Sequence, residues 1–167
     1  MVEQFMAAAE AVGGAVKRFT TLDEAIASLK ELAAGKMATT SALPGNIRTI
    51  LDDLAFAPPD GIDRADIGIS FALAGAAQTG SLLLDLADPA ERSATALPQI
   101  HAVFLKASTI VSDLYGLHDI LARTLSSSGS SYLSVITGPS RTADIERVLT
   151  IGVHGPKELH VLILEGE

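Results

Sequence analysis

The chain has 167 residues, of which 48% are hydrophobic, and its 12 Lys and Arg against 20 Asp and Glu give a formal net charge of −8 at pH 7. This length and apolar content predict one domain, residues 1–167, with its own core rather than a disordered chain. With two Tyr, five Phe and no Trp, such an acidic chain lacks the basic surface and stacking platforms of a nucleic-acid binder. The absence of cysteine excludes disulfides and thiolate-held zinc or iron–sulfur clusters.

The amino-terminal sequence "MVEQFMAAAE" has neither a basic region nor a long apolar core, so it predicts a cytoplasmic protein. Apolar residues at helical spacing predict helices over 2–12, from Thr21 to Gly35, and over 46–54, where Asn46 is the expected N-cap. Thr21 and Glu24 form a capping-box pattern. The short runs "VKRF" and "KMATT" predict strands between these helices.

The segment from Ile67 to Leu84 contains 18 consecutive uncharged residues, about the length of a membrane-spanning helix. Its apolar residues alternate with small ones, however, and that period of two is typical of strands. We therefore predict strands at 66–73 and 82–87, no membrane span, and a local antiparallel pair within a helix-free stretch from 62 to 111.

The second half of the chain alternates between strands and helices. "IHAVFLK" predicts a buried strand, and "YLSVIT" and "LHVLIL" predict two further strands. Ser112 opens a predicted helix, and residues 142–150 have helical spacing. Helices that alternate with apolar strands predict an α/β protein with Rossmann-like connections. The expected architecture is a mostly parallel sheet with helices on both faces.

The sequence "TGPSRT" lies between a predicted strand and a predicted helix, where open parallel sheets bind ligands beyond the carboxyl ends of their strands. Its small and cationic residues predict an anion site at a helix N-terminus, formed by Gly138, Pro139, Ser140, Arg141 and Thr142. Arg141 can hold a carboxylate or phosphate through two hydrogen bonds. The alternative is a plain turn in which Thr142 caps the helix, Asp144 complements its dipole and Arg141 is solvated or paired with an acid.

A second turn, "GVHGPKE", follows and brings His154 and Lys157 near the bend at Gly155 and Pro156. We predict that the two turns converge into one cationic site, with His154 or Asp144 as a candidate acid or base. The alternative for His154 and Lys157 is a solvated turn.

The third candidate is the turn "QTGS" between two predicted strands, formed by Gln78, Thr79, Gly80 and Ser81. It suits either a hairpin turn or a pocket wall. His101, His118 and His160 lie in apolar patterns that predict structural roles. No metal-binding motif, nucleophile elbow or dinucleotide fingerprint occurs in the sequence, so no metal is expected.

Residues 136–164, "ITGPSRTADIERVLTIGVHGPKELHVLIL", resemble the closing signature of the lactate-utilisation protein C family, the LUD-domain proteins. "AQTGSLLLD" is similar to the central turn of that family, "ALPQIHAVFLKASTIV" to its strand with an LPPxH motif, and residues 3–30 to its opening helices. The family's motif positions correspond to a set of polar, glycine and proline residues: Thr79, Gly80, Gly138, Pro139, Ser140, Arg141, Thr142, Asp144, Glu146, His154, Gly155, Pro156 and Lys157.

This resemblance implies a single LUD-type domain with a fold like that of the sugar-phosphate isomerase and CoA-transferase group. It also implies a role in growth on L-lactate, beside partner proteins that carry iron–sulfur clusters and oxidise lactate to pyruvate. The chain itself is then expected to hold no cofactor and to bind a small carboxylate, a phosphate or its partner subunits. Its apolar composition also leaves room for a homo-oligomer interface.

One position departs from the family pattern, because Gln78 stands where the central turn usually has an acid. In CoA-transferases of similar fold a glutamate is the covalent nucleophile, and an amide cannot do that chemistry. The favoured hypothesis is therefore an accessory subunit of a lactate-oxidising system. Two alternatives stay open: an enzyme that acts alone on a sugar phosphate or CoA ester, and a binding module that senses a metabolite.

Overall fold

The computed structural model describes residues 1–41, 43–126, 132–143, 149–151 and 155–166. Five α-helices lie in these ranges: α1 (Val2–Ala11), α2 (Leu22–Ala33), α3 (Gly45–Ile50), α4 (Pro89–Ala96) and α5 (His118–Ser126). Short 3₁₀ turns occur at Pro59–Arg64, Ala107–Thr109 and Tyr115–Leu117. No helix in these ranges is long and apolar enough to cross a lipid bilayer.

The strands form a parallel sheet, a mixed sheet and a hairpin. The parallel sheet has the order β1-β11-β6-β3-β2, the mixed sheet the order β7-β4-β5-β8, and β9 pairs with β10. The strands are β1 (Ala15–Phe19), β2 (Ala38–Thr40), β3 (Ile67–Phe71), β4 (Ala74–Ala76), β5 (Ser81–Asp85), β6 (Ile100–Lys106), β7 (Ile110–Val111), β8 (Leu133–Thr137), β9 (Arg141–Ala143), β10 (Leu149–Ile151) and β11 (Glu158–Leu164).

The parallel sheet is covered on both faces, which confirms the predicted α/β class. On one face Ile67 and Ile69 of β3 pack with the apolar sides of α2 and α3. On the other face Val103 and Leu105 of β6 pack with α1 and with the inner side of the mixed sheet. Alternate residues of a strand point to opposite faces, so these apolar strands fill two cores at once.

Several predicted elements are confirmed at their expected places. The capping box at the start of α2 is formed, because Glu24 N–H donates to Thr21 Oγ1 at 3.3 Å and Thr21 N–H donates to a Glu24 carboxylate oxygen. The predicted antiparallel pair is β4 and β5, with Leu83 opposite Ala74. The helix expected from Asn46 begins one residue earlier, at Gly45, so Asn46 is not its cap.

The stretch from 62 to 111 is not helix-free, because α4 lies within it. Asp88 caps this helix by accepting a hydrogen bond from Ala90 N–H at 2.7 Å, and Glu91 completes a capping box. The helix buries only Ala94 and Thr95. With so few buried residues, α4 has little apolar periodicity in its sequence, and this is why it was not predicted. The pair Asp88 and Pro89 at its start is a capping signal.

The helix predicted over 142–150 is wrong at both ends. Arg141–Ala143 and Leu149–Ile151 are strands that pair antiparallel, with Thr142 opposite Thr150. Helical spacing of apolar residues is a local signal, and strand pairing overrides it here. Residues 144–148 lie outside the described part of the chain.

Candidate functional site

The two carboxyl-terminal turns meet through their backbones, as predicted. Ser140 N–H donates to the carbonyl of Pro156 at 2.8 Å. Gly155 has φ of +132°, and a side chain there would place its Cβ 2.9 Å from Ser140 Cβ. A glycine is therefore required at 155 for this contact.

The turn at Gly138 allows a close approach of the backbone, but to α1 rather than to a ligand. Gly138 has φ of +71°, and a Cβ on it would lie 2.7 Å from the carbonyl oxygen of Val12. A Cβ on Gly13 would lie 2.9 Å from Arg141 Nη2. The turn thus packs on the carboxyl-terminal end of α1.

Arg141 holds this contact together, because its Nη2 donates to the carbonyl of Val12 at 2.5 Å. Val12 directly follows α1, where the last carbonyls of a helix lack partners inside the helix and the helix dipole is negative. The predicted helix N-terminus beside Arg141 is therefore wrong, because Arg141 begins strand β9. It binds the opposite, carboxyl-terminal end of another helix.

These turns were predicted to lie beyond the carboxyl-terminal ends of the parallel strands, but they lie at the amino-terminal ends. The turn after β8 does not extend the parallel sheet, because β8 belongs to the mixed sheet. The second turn directly precedes β11, and Lys157 N–H donates to the carbonyl of Gln99 just before β6. Since Gly13 precedes β1, all these contacts lie at the amino-terminal ends of β1, β11 and β6.

A pocket of about 450 Å³ opens beside these contacts, between the amino-terminal end of the parallel sheet and β8. Its wall combines hydroxyls, small residues and one guanidinium: Thr95, Ala96, His101, Ser134, Val135, Ile136, Thr137, Gly138, Pro139, Ser140, Arg141, Gly155, Pro156 and Leu159. Among these described residues there is one cation and no carboxylate. In a chain with a net charge of −8, such a wall favours an anionic or neutral polar ligand over a cation.

The central turn reaches the pocket wall through a chain of hydroxyls. Thr79 Oγ1 and Ser81 Oγ are 2.7 Å apart, and Ser81 Oγ is 2.7 Å from Thr137 Oγ1. Gly80, with φ of +65°, lies against α1, where a Cβ would be 2.3 Å from Ala9 N. Gln78 is exposed and its N–H donates to the carbonyl of Ser112.

The remaining candidate residues have different places. Lys157 is exposed, and the described lining of the pocket does not contain its side chain. Thr142 lies in β9, with only its backbone described. Asp144, Glu146 and His154 lie outside the described residues. The cationic site was predicted to combine the side chains of Arg141, His154 and Lys157. Among the described residues, Arg141 is the one of these three that lines the pocket.

His101 lines the same pocket, although the sequence predicted only a structural role for it. Its Nε2 is 2.7 Å from Ser70 Oγ, and both residues are buried. Burial lowers the pKa of His101 to about 4, so the imidazole is neutral at pH 7. One signal in the sequence could have placed His101 between the two sheets. In a strand, His101 points to the same face as the apolar Val103.

A model of the LUD domain family matches residues 60–164, which is more than half of the chain. A lactate utilization protein C from Bacillus velezensis is 34% identical over 104 residues, which are 60% of this chain and 43% of that protein. The protein of the same name from Bacillus subtilis is 33% identical over 104 residues, with the same coverage. An uncharacterized Escherichia coli protein, YkgG, is 33% identical over 105 residues, 62% of this chain and 46% of that protein.

The chain thus spans less than half of the length of these curated relatives. A crystal structure of a DUF162 family protein from Deinococcus radiodurans superposes with a TM-score of 0.68 at 19% identity, and covers 98% of this chain and 95% of that one. This similarity shows the fold. The resemblance inferred from the turns at 78–81 and 136–164 is confirmed by the matched segment, whereas the resemblance of residues 3–30 lies outside it. The chain belongs to the LUD-domain family.

Proposed function

We propose that this protein is an accessory component of a cytoplasmic lactate-utilising system, and that it binds a small carboxylate in the pocket beside Arg141. The observation that carries the proposal is the absence of carboxylates from the described pocket wall in a strongly acidic chain. The names of the Bacillus relatives support lactate utilisation as the process.

The polar groups of the wall suit a carboxylate. Arg141 uses one N–H for the carbonyl of Val12, and a guanidinium has five N–H donors in a planar fork. Ser140 and Thr137, two residues with hydroxyl groups, also line the pocket. Because the α1 contact fixes the guanidinium, little rotamer freedom is lost when a ligand binds.

The size of the pocket sets a limit on the ligand. A volume of about 450 Å³ falls in the range of roughly 300–1,000 Å³ that holds drug-sized molecules. Lactate and pyruvate are smaller than that and leave space for bridging water, which forms hydrogen bonds nearly as favourable as direct ones.

Oxidation of lactate to pyruvate releases two electrons and two protons, which an acceptor must take up. A chain without cysteine cannot supply a thiolate-held cluster for that purpose. We therefore place the electron transfer in partner proteins that carry iron–sulfur clusters, and assign to this chain the binding of the carboxylate or of those partners.

A thermal-shift series tests the binding site. L-lactate, pyruvate, phosphate and sulfate are each titrated into wild type, Arg141→Ala and the control Arg123→Ala. The carboxylates should raise the melting temperature of wild type and the control in a concentration-dependent way and should leave Arg141→Ala unchanged. Equal shifts in all three proteins, or none in wild type, would contradict the site.

The proposed process is tested separately in the source organism. Deletion of the gene should impair growth on L-lactate as the sole carbon source and leave growth on pyruvate intact. An affinity-tagged copy should co-purify with cluster-bearing proteins. Normal growth of the deletion strain on L-lactate rules out the proposed role.

A further inference from the structure

Ser70 and His101 form a polar pair in the apolar layer between the two sheets. They lie on neighbouring parallel strands, β3 and β6, in which Gly68 is opposite His101. Ser70 is 0% and His101 is 1% exposed. Val103, Leu105 and Val161 on the same face belong to the apolar core. The presence of two polar side chains among them therefore calls for an explanation.

The hydrogen bond between them determines the tautomer of the ring. Within the described chain, the hydrogen-bond partner of Ser70 Oγ is His101 Nε2. If Nε2 carried the proton, both the hydroxyl hydrogen of Ser70 and the lone pair of Nδ1 would lack a partner, whereas with the proton on Nδ1 that one N–H is left to be paired from the pocket. Ser70 O–H therefore donates to Nε2, and the ring proton lies on Nδ1.

His101 lines the pocket, and its Nε2 is the ring nitrogen that is hydrogen-bonded to Ser70. Nδ1 is therefore the ring nitrogen that remains for a ligand. An Nδ1–H on this lining residue is thus an uncharged donor in a place where a charged one would be strongly disfavoured.

We propose that His101 is a ligand-binding residue that offers Nδ1–H to an acceptor oxygen, that Ser70 is the positioning residue that fixes this tautomer, and that the ligand is a 2-oxo carboxylate. This inference rests on the proposed function, because it names the ligand class of the same pocket. Arg141 on the wall takes the carboxylate. The keto oxygen, which accepts and never donates, is the group that matches the Nδ1–H donor.

The same chemistry distinguishes a 2-oxo acid from its 2-hydroxy counterpart. The hydroxyl of lactate can accept from Nδ1–H, but its own hydrogen must then be taken by a wall hydroxyl or a bridging water, which the keto oxygen does not need. Recruiting that acceptor at the cost of about one hydrogen bond corresponds to about a fivefold loss of affinity. Wild type should therefore bind pyruvate about fivefold more tightly than L-lactate.

The tautomer is measured directly by long-range ¹H–¹⁵N correlation spectra of the histidine rings in the ¹⁵N-labelled full chain at pH 7. The chain has four histidines, and the spectrum of a His101→Asn variant identifies the signal of His101. The expected pattern is the neutral Nδ1–H form, which changes toward a mixture in Ser70→Ala. If the spectrum of the ligand-free protein shows the Nε2–H form of His101, the hydrogen bond to Ser70 is purely structural and the inference is overturned.

Binding is measured by calorimetry with pyruvate and with L-lactate. His101→Asn keeps an amide N–H close to the position of Nδ1 and should retain affinity for pyruvate, whereas His101→Leu should lose about fivefold. Ser70→Ala should lower the preference for pyruvate over lactate with the fold intact. Melting curves check the folding of each variant, and the spectra of wild type and Ser70→Ala decide the tautomer if His101→Leu does not fold.

The results separate this inference from the proposed function. If wild type binds neither acid, both are overturned. If wild type binds both equally, or if pyruvate leaves the His101 ring signals unchanged, the carboxylate site stands and the role of His101 is overturned. A pyruvate preference that disappears in His101→Leu and persists in His101→Asn supports the inference.

Discussion

The two ends of the parallel strands, which form the carboxyl-terminal and the amino-terminal edge of the sheet, differ in the space that they leave for a ligand. At the carboxyl-terminal edge there is a cavity of only about 60 Å³, far below the volume of a typical ligand site. It is lined by Leu22, Pro44, Asn46, Ile47, Phe71, Lys106 and Leu164. At the amino-terminal edge, the pocket beside Arg141 has about 450 Å³ and a wall rich in hydroxyls. The usual place for a ligand in an open parallel sheet therefore has little room for one in this protein.

This difference arises from the mixed sheet. The turn after β8 packs on the carboxyl-terminal end of α1, and β8 lines the gap at the amino-terminal ends of β6 and β11. Helix α4, which packs on β3, closes one side of the gap. A ligand site in this fold thus depends on how the second sheet is placed and not on the direction of the parallel strands alone.

The carboxyl-terminal edge is tested by Phe104→Ala. The ring of Phe104 is fully buried and stacks with Phe71 at a centroid distance of 6.3 Å. Removing it should lower the free energy of unfolding by about 3–5 kcal/mol, because a cavity remains in a core that relaxes only in part. Urea unfolding measures the change. Phe104→Leu, which keeps most of the volume, should cost less than about 1.5 kcal/mol, and similar losses in both variants would contradict close packing there.

At the amino-terminal edge, Gly68→Ala should displace α4. A Cβ on Gly68 would lie 1.9 Å from the carbonyl oxygen of Ala94, and the backbone of a helix must move to accept it. The expected loss is about 3 kcal/mol of unfolding free energy, with weaker carboxylate binding. Gly45→Ala is the control, because no atom lies within 4 Å of a Cβ there. A Gly68→Ala protein as stable as the control would show that α4 does not seat on β3 in this way.

The buried imidazole makes stability depend on pH. Since burial lowers the pKa of His101 from 6.5 to about 4, the unfolded chain binds the proton more readily, and stability falls as the pH drops from 6.5 toward 4. By pH 5 the contribution amounts to about 2 kcal/mol. Urea unfolding at pH 7 and pH 5 should show this loss in wild type and in His118→Gln, and should show it reduced in His101→Asn. An equal loss of unfolding free energy between pH 7 and pH 5 in all three proteins would show that a group other than His101 titrates.

The smallest expected effect is that of Arg141→Ala on stability. The variant loses an exposed hydrogen bond to the carbonyl of Val12 and a cation at the negative end of α1. Together these should cost about 1 kcal/mol in urea unfolding. Arg123→Ala, whose Nε donates to a carbonyl within its own helix, should cost less. A larger loss in Arg123→Ala would show that the α1 contact does not anchor the turn.

Local signals predicted much of the fold. The capping residues Thr21 and Glu24 and the apolar run of β6 act through neighbours in sequence, so their elements are where the sequence places them. Helix α4 was missed because it buries so few apolar residues. The hairpin of β9 and β10 was missed because the helical spacing around Ile145 and Val148 is a local pattern, while strand pairing joins residues up to ten positions apart.

The candidate site was predicted in part. Gly138, Pro139, Ser140 and Arg141 line the pocket, and the meeting of the two turns was expected. The helix N-terminus was wrong because Arg141–Ala143 pairs as a strand. The carboxyl-terminal edge was wrong because β8 belongs to the mixed sheet and not to the parallel sheet. His101 was missed as a pocket residue because nothing in the sequence pairs it with Ser70, 31 residues earlier.

The sequence by itself determined the alternating architecture, the acidic and cysteine-free chemistry and membership of the LUD-domain family, since these depend on residue types, spacing and motifs. Only the tertiary structure decided that Arg141 binds the end of α1, that the pocket opens at the amino-terminal edge and that His101 lies in it. Those facts depend on contacts such as that between Val12 and Arg141, which are 129 positions apart. Contacts of that kind follow from the packing of whole sheets and helices, which no local pattern encodes.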